Sequence, residues 1–177
     1  TGRSMVISDT AVGIGKVPEA QLDVRGNLNV DGVLTTPQRP VFYAYRSDSI
    51  NTSLGFTGTI PFVHTRVNVG NCFNISDYKF HAPITGHYWF EFTLLARYQS
   101  GAGNAEITLH KNGVNVSSRA MAYTWPSAVN DHDNLSFSVP VQMNAGDSIA
   151  PVVHATNGGV DYYYGQDLAH FSGFFLG

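Results

Sequence analysis

From Val41 to its last residue the chain alternates apolar and polar positions with a period of two, which predicts strands rather than helices. The clearest case is His87 to Arg97. Tyr88, Phe90, Phe92, Leu94 and Ala96 fall on one face, and His87, Glu91, Thr93 and Arg97 fall on the other. Wound as a helix, the same residues would scatter the aromatics around its circumference. Leu135, Phe137, Val139, Val141 and Met143 alternate with Ser136, Ser138, Pro140 and Gln142. Pro140 has no amide donor, so it predicts a sheet edge or a bulge. Ala105, Ile107 and Leu109 lead into Lys111-Asn112-Gly113, and Asn-Gly favours a tight type I′ hairpin turn. That places antiparallel strands at about 104–110 and 114–123. Asn144-Ala145-Gly146-Asp147 makes the next turn and Ser148 to His154 the next strand. Glycine, proline or β-branched residues interrupt every long window, so no helix is expected.

Two segments are apolar on both faces: Phe171-Ser172-Gly173-Phe174-Phe175-Leu176, and Val41, Phe42, Tyr43 and Tyr45. Such strands have to be covered on both sides. In a sandwich of two sheets one face meets the opposite sheet, and identical subunits around a three-fold axis would cover the other. Tyr43, Tyr88, Phe90, Phe92, Phe171, Phe174 and Leu176 are the residues expected in this core and seam.

Residues 6–36 have a different texture. Short apolar pieces are separated by glycine, as in Val12-Gly13-Ile14-Gly15, Leu22-Asp23-Val24-Arg25-Gly26-Asn27 and Leu28-Asn29-Val30-Asp31-Gly32. Leu22, Val24, Leu28, Val30 and Val33 are too few to make a core in one chain. Three copies that pool these residues form the economical solution, a fibrous β stalk. Thr1-Gly2-Arg3-Ser4-Met5 reads as an expression scar over residues 1–5. Pro37-Gln38-Arg39-Pro40 reads as the linker, since proline drives its predecessor into extended conformations. Residues 41–177 form the head.

Two resemblances sharpen this outline. The run from Val12 to Asn27 is similar to the VGIGTxxPxAxLDVxGN segment that recurs in bacteriophage tail fibres, with Lys16 where threonine is usual. The head resembles the C1q/TNF-like family. Asn68-Val69-Gly70-Asn71 followed by Phe80, Ala82, Pro83, Gly86, Tyr88 and Phe90 matches its N-x-G and F-x-A-P-x-x-G-x-Y-x-F elements. Gly146-Asp147 matches its GD element, with Met143 at the leucine position. Phe171-Ser172-Gly173-Phe174-Phe175-Leu176 matches the closing TFSGFLL, with His170 replacing threonine. The resemblance implies an all-β, ten-stranded jelly-roll sandwich that forms a homotrimer, with both termini near the trimer base. It implies no particular ligand, because the fold carries many activities.

Composition removes several alternatives. Lys plus Arg total 10 against 13 acidic residues, a formal charge of -3, and no basic run exists to hold a phosphate backbone. Nucleic acid is therefore not an expected partner. No apolar stretch approaches the ~20 residues of a spanning helix, so membrane insertion is not expected. Cys72 stands alone in the sequence, with no metal-binding spacing, and reads as a buried thiol. The sequence contains no HExxH, GxSxG or paired-carboxylate motif, and Gly13-Ile14-Gly15-Lys16 lacks the remainder of a phosphate loop, so no enzyme is expected.

Asp131-His132-Asp133 lies in a polar loop where two carboxylates offer oxygen ligands to calcium. C1q-like trimers carry such aspartates near the apex, so Asp131 and Asp133 are the candidate metal ligands. Here the upstream part of the loop reads Thr124-Trp125-Pro126 and carries no acid. Trp125, His132, Tyr162, Tyr163 and Tyr164 are the candidate ligand-binding residues. Tyrosine and tryptophan combine flat apolar area with a hydrogen-bonding edge, which suits sugars and protein epitopes. Asn51, Asn74, Asn115 and Asn134 begin N-x-S sequons, which would go unused in a protein made in bacteria. A fibre-type shaft joined to a C1q-like head points to the receptor-binding tip of a trimeric phage tail fibre on the virion. Its partner would be a host surface polysaccharide or outer-membrane protein. The alternatives are a secreted or cell-surface C1q-like lectin or adhesion protein, and a structural trimerisation cap.

Overall fold

A computed structural model describes residues 5–36, 38–46, 57–98, 104–117, 120–124, 132–156, 160–163 and 168–177. The chain divides into two compact units, Thr1–Pro37 and Gln38–Gly177.

The first unit holds three short strands, β1 (Met5–Ile7), β2 (Val12–Ile14) and β3 (Leu22–Val24), in the order β1-β2-β3. β1 runs antiparallel to β2, with Met5 opposite Ile14, and β2 runs parallel to β3, with Val12 opposite Leu22. The connection over 15–21 folds tightly across β2: a Cβ on Gly13 would stand 2.3 Å from the Lys16 carbonyl oxygen. Only glycine fits there. Lys16 Nζ then reaches Asp23 Oδ2 at 2.8 Å, and the Glu19 amide donates to the same carboxylate oxygen at 3.1 Å. Among the described residues of this unit Gly13 alone is buried. Met5, Ile7, Ile14, Val17, Leu22, Leu28, Val30, Val33 and Leu34 are all exposed, so a single copy has no apolar core.

The second unit is a sandwich of antiparallel sheets. Its strands are β4 (Val41–Tyr45), β5 (Gly58–Thr59), β6 (His64–Val69), β7 (Phe73–Asn74), β8 (Lys79–His81), β9 (Gly86–Tyr98) and β10 (Asn104–Lys111). They continue as β11 (Val114–Asn115), β12 (Ala122–Thr124), β13 (His132–Met143), β14 (Ser148–Thr156), β15 (Val160–Tyr163) and β16 (Ala169–Phe175). One sheet has the order β11-β10-β14-β8-β7, with β12 also on β10 and β5 on β14; the other has β13-β9-β16-β4-β6, with β15 on β9. Apart from the two-residue segments β5, β7 and β11, the described residues of this unit form ten strands. The described residues contain no helix.

The alternating faces of β9 and β13 pack as their pattern predicts, with Tyr88, Phe90, Phe92, Leu94, Ala96, Leu135 and Met143 buried. Pro140 sits on the edge strand β13, where its missing donor costs least. Phe42 is the hub of an aromatic core, stacked on Phe73 at 5.2 Å and Phe80 at 5.1 Å and edge-on to Phe171 at 5.0 Å. Gly173 lets β16 pass beneath it, since a Cβ there would lie 2.7 Å from Phe90 Cδ1 and 2.8 Å from the Trp89 carbonyl oxygen.

One expected element is corrected. Residues 114–123 are not a single strand: β11 ends at Asn115, and β12 returns to β10 only at Ala122. The Asn115 side chain accepts a hydrogen bond from the Ser117 amide at 3.1 Å, a local turn that competes with the ladder.

Entry and exit of the head are tied together. Arg39 Nε donates to the Phe175 carbonyl at 2.7 Å and Nη2 to that of Leu176 at 2.9 Å. The Phe175 amide donates to Pro40 O, and the His87 amide to Gly177 O.

Candidate functional site

At the far end of β9 from this tie, three elements converge. His132 opens β13 opposite Arg97, and on the other side of β9 Asp161 of β15 is also opposite Arg97. Tyr162 and Tyr163 follow, opposite Ala96 and Leu95. His132 is exposed. The fold thus brings His132 and the backbone of Tyr162 and Tyr163 to one end of one sheet, around Arg97, which the sequence marked only as the polar face of a strand. Trp125, Tyr164 and Asp131 lie outside the described residues.

Thr124 Oγ1 donates a hydrogen bond to Asp133 Oδ2, joining β12 to β13. Among the described residues no three His, Cys, Asp or Glu side chains are grouped so as to hold a metal ion. Of the two candidate metal ligands, the described residues thus include only Asp133.

A second surface lies on the outer face of the six-stranded sheet. Tyr43 stacks on His170 at 4.9 Å, Tyr45 meets His64 at 5.4 Å, and the two tyrosines are 6.3 Å apart. The pairing of β4 with β6 slips between Tyr43 and Ala44, and this bulge turns Arg66 over both rings, 5.5 Å from Tyr43 and 5.1 Å from Tyr45. Bulges commonly re-aim a side chain in this way, and a guanidinium over a phenol ring is a cation–π contact. A polar cleft of about 630 Å³ adjoins this platform, lined by Glu91, Thr93, Asn134, Ser136, Ser138 and His170. Phe174 and Leu176, expected in the core or seam, are 43% and 44% exposed in the single chain. Phe174 pairs with Val41 and Trp89, which extends the platform towards the tied end.

Sequence reasoning missed Arg66 and His64. Their only signal was proximity to the aromatic strand β4, and that proximity depends on a pairing between strands and on a bulge.

Two sheets with this strand order, whose first and last long strands pair inside one sheet, define a C1q/TNF-like jelly roll. The chain belongs to the C1q domain family, whose model matches residues 41–176. Among solved structures it is similar to the globular domain of the zebrafish complement 1qA protein. That match has 16% identity and a TM-score of 0.58, and covers 78% of this chain and 98% of that one. It is also similar to Eiger TNF from S. frugiperda, at 9% identity and a TM-score of 0.54, covering 79% of this chain and 94% of that one. Murine APRIL at pH 5.0 matches at 9% identity and a TM-score of 0.55, covering 78% and 99%. At these identities the likeness carries the fold alone. No curated protein sequence matches the chain significantly.

Proposed function

We propose that the chain is the receptor-binding head and adjoining shaft of a homotrimeric phage tail fibre, recognising a bacterial surface glycan or protein without catalysis. The observation that carries this reading is the first unit. Its VGIG and LDVRGN pieces supply β2 and β3, two of the three short strands, and Ile14 and Leu22 of these strands are exposed in one copy. Association in threes would bury them, as it would the platform of Tyr43, Tyr45, His170 and Phe174. C1q/TNF-like domains are generally binding modules and typically form homotrimers. Trimers multiply a weak contact: three equivalent sites, repeated over several fibres, raise avidity without new chemistry. The residues expected to make that contact are Trp125, His132, Tyr162, Tyr163 and Tyr164.

The test is competition for adsorption. Purified full chain should bind candidate host cells and block infection by a parent virus, and Trp125→Ala with Tyr163→Ala should abolish both while trimers persist. If the wild-type chain neither binds nor competes, a structural cap becomes the better description. A secreted or cell-surface adhesion protein is the second reading, favoured by membership of the C1q family itself. A signal peptide or collagen-like Gly-X-Y repeat upstream of Val6 in the natural gene would support it, whereas a long shaft with a virion-attachment domain would support the fibre.

A further inference from the structure

A separate cleft of about 530 Å³ opens on the flank of the head where the edge strands β6 and β7 lie. That volume falls within the range of about 300–1,000 Å³ common for small-molecule sites. Among the described residues it is lined by Thr65, Asn68, Asn71, Phe73, Asn74, Ile75 and His81.

The floor of the cleft is fixed. Asn68 Nδ2 donates to the Phe73 carbonyl at 2.9 Å, and Asn68 Oδ1 accepts from the Phe73 amide at 2.9 Å, so one side chain joins the edges of both sheets. The loop above it is fixed too. Asn74 Oδ1 accepts from the Ser76 amide, Asp77 Oδ1 from the Lys79 amide, and the Tyr78 amide donates to Asn74 O. Tyr78 is held at φ 62°, an uncommon conformation for a bulky residue, which shows how fully these bonds determine the loop.

Other polar groups of the lining have no use inside the fold. The Thr65 hydroxyl, the Asn71 carboxamide and Asn74 Nδ2 make no hydrogen bond to the described residues. All are neutral, and together they supply donors and acceptors in close succession. The described lining contains no lysine, arginine or carboxylate. His81, its single titratable side chain, is paired through Nε2 with Asp77 Oδ2 at 2.8 Å. On the rim Ile75 is 50% exposed, a flat apolar contact beside the amides.

Neutral donors and acceptors beside one apolar contact match a molecule whose edge carries adjacent hydroxyls and whose ring face is C–H. The described lining offers an anion no lysine or arginine, and a cation no unpaired carboxylate. We infer that this flank cleft is a binding site for an uncharged saccharide, distinct from the far-end residues around Arg97. The inference does not depend on what those far-end residues bind.

Saturation-transfer NMR on the full chain tests it with the methyl glycosides of galactose, glucose, mannose and N-acetylglucosamine, and with sialic acid and glucose 6-phosphate as charged probes. At least one neutral probe should show saturable binding and the charged probes none. Asn71→Gly removes the carboxamide while accepting the φ of 49° at that position, and Thr65→Val removes the hydroxyl and keeps the strand-favouring branch. Together they should weaken binding by about tenfold or more, with unchanged melting temperature. If that double variant unfolds, Ile75→Ala on the opposite rim serves as the same test. The inference fails if no neutral probe binds, if a charged probe binds better, or if the variants bind like wild type. Because Trp125, Tyr162, Tyr163 and Tyr164 are untouched in these variants, binding that survives would point to those residues, and failure of the cleft would leave the adsorption result unaffected.

Discussion

Phe42 shows how much depends on single side chains in this head. It is buried to 1% and touches rings from both sheets, so Phe42→Ala removes a large apolar volume that its neighbours cannot refill. The expected cost is about 3–5 kcal/mol, readable as a lower urea midpoint with the slope unchanged. Cys72 gives a different kind of prediction. Burial pushes its thiol up to about 11, and it is 1% exposed. At pH 8 it is therefore a protonated, covered group, and the thiolate is the reactive form. A chromogenic disulfide reagent should react with it only after denaturant is added; rapid labelling of the native protein would contradict the packing described for it. Its inertness was legible from the sequence, because a lone cysteine between Asn71 and Phe73 had no partner and no metal spacing. The role of Arg66 was not legible, because nothing local indicates that the strand slips by one residue and turns that guanidinium onto two tyrosines.

Elements differ in how openly the sequence declares them. β9 and β13 were readable because their apolar residues recur at every second position and meet one another across the ladder, as Phe92 meets Phe137. β12 was not, because the Asn115 side chain captures the Ser117 amide, and local capture of this sort leaves no trace in hydrophobic periodicity. In the candidate site the chemistry of His132, Tyr162 and Tyr163 was visible, but not their common neighbour, since Arg97 joins them only through two separate strand pairings. In the first unit the short strands were readable while the clasp between Lys16 and Asp23 was not. Its charges give a pH prediction. The Lys16 ammonium bonded to Asp23, followed by the Glu19 amide, holds the Asp23 carboxyl below its usual 3.8. The same hydrogen bond raises Lys16 above its usual 10.5. A lowered acid stabilises the fold above its unfolded value and loses that contribution as pH falls through the folded value; a raised base loses its contribution as pH climbs past 10.5. Strand content of the first unit should therefore be flat between these limits and fall beyond either, and Asp23→Asn should remove the acid-side change. Both ends keep partial contact with solvent, so the effect is small. Circular dichroism of the chain against pH, with the variant alongside, decides it.

On the scale of the whole molecule, the proposed trimer makes a quantitative demand. Sedimentation equilibrium at micromolar concentration should return three times the 19.2 kDa of one chain. Phe174→Glu sets a carboxylate on the platform and should shift the population towards monomer, because unpaired charge in a packed interface is costly. A well-folded wild-type monomer under these conditions would remove the support for three-fold assembly. If trimers do form, the polar cleft of Glu91, Thr93, Asn134, Ser136, Ser138 and His170 adjoins the subunit contact and is expected to be partly covered.

The tie between Arg39 and the carbonyls of Phe175 and Leu176 has a mechanical side. In the fibre proposed above, traction on residue 40 would act at the start of β4, which is hydrogen-bonded on both flanks, to β16 and to β6. Pulled along its length, that strand must break many bonds in shear at once instead of peeling them one by one. The guanidinium meanwhile shares the load with the closing strand. Load entering the head at residue 40 would therefore be carried by β4 and β16 together.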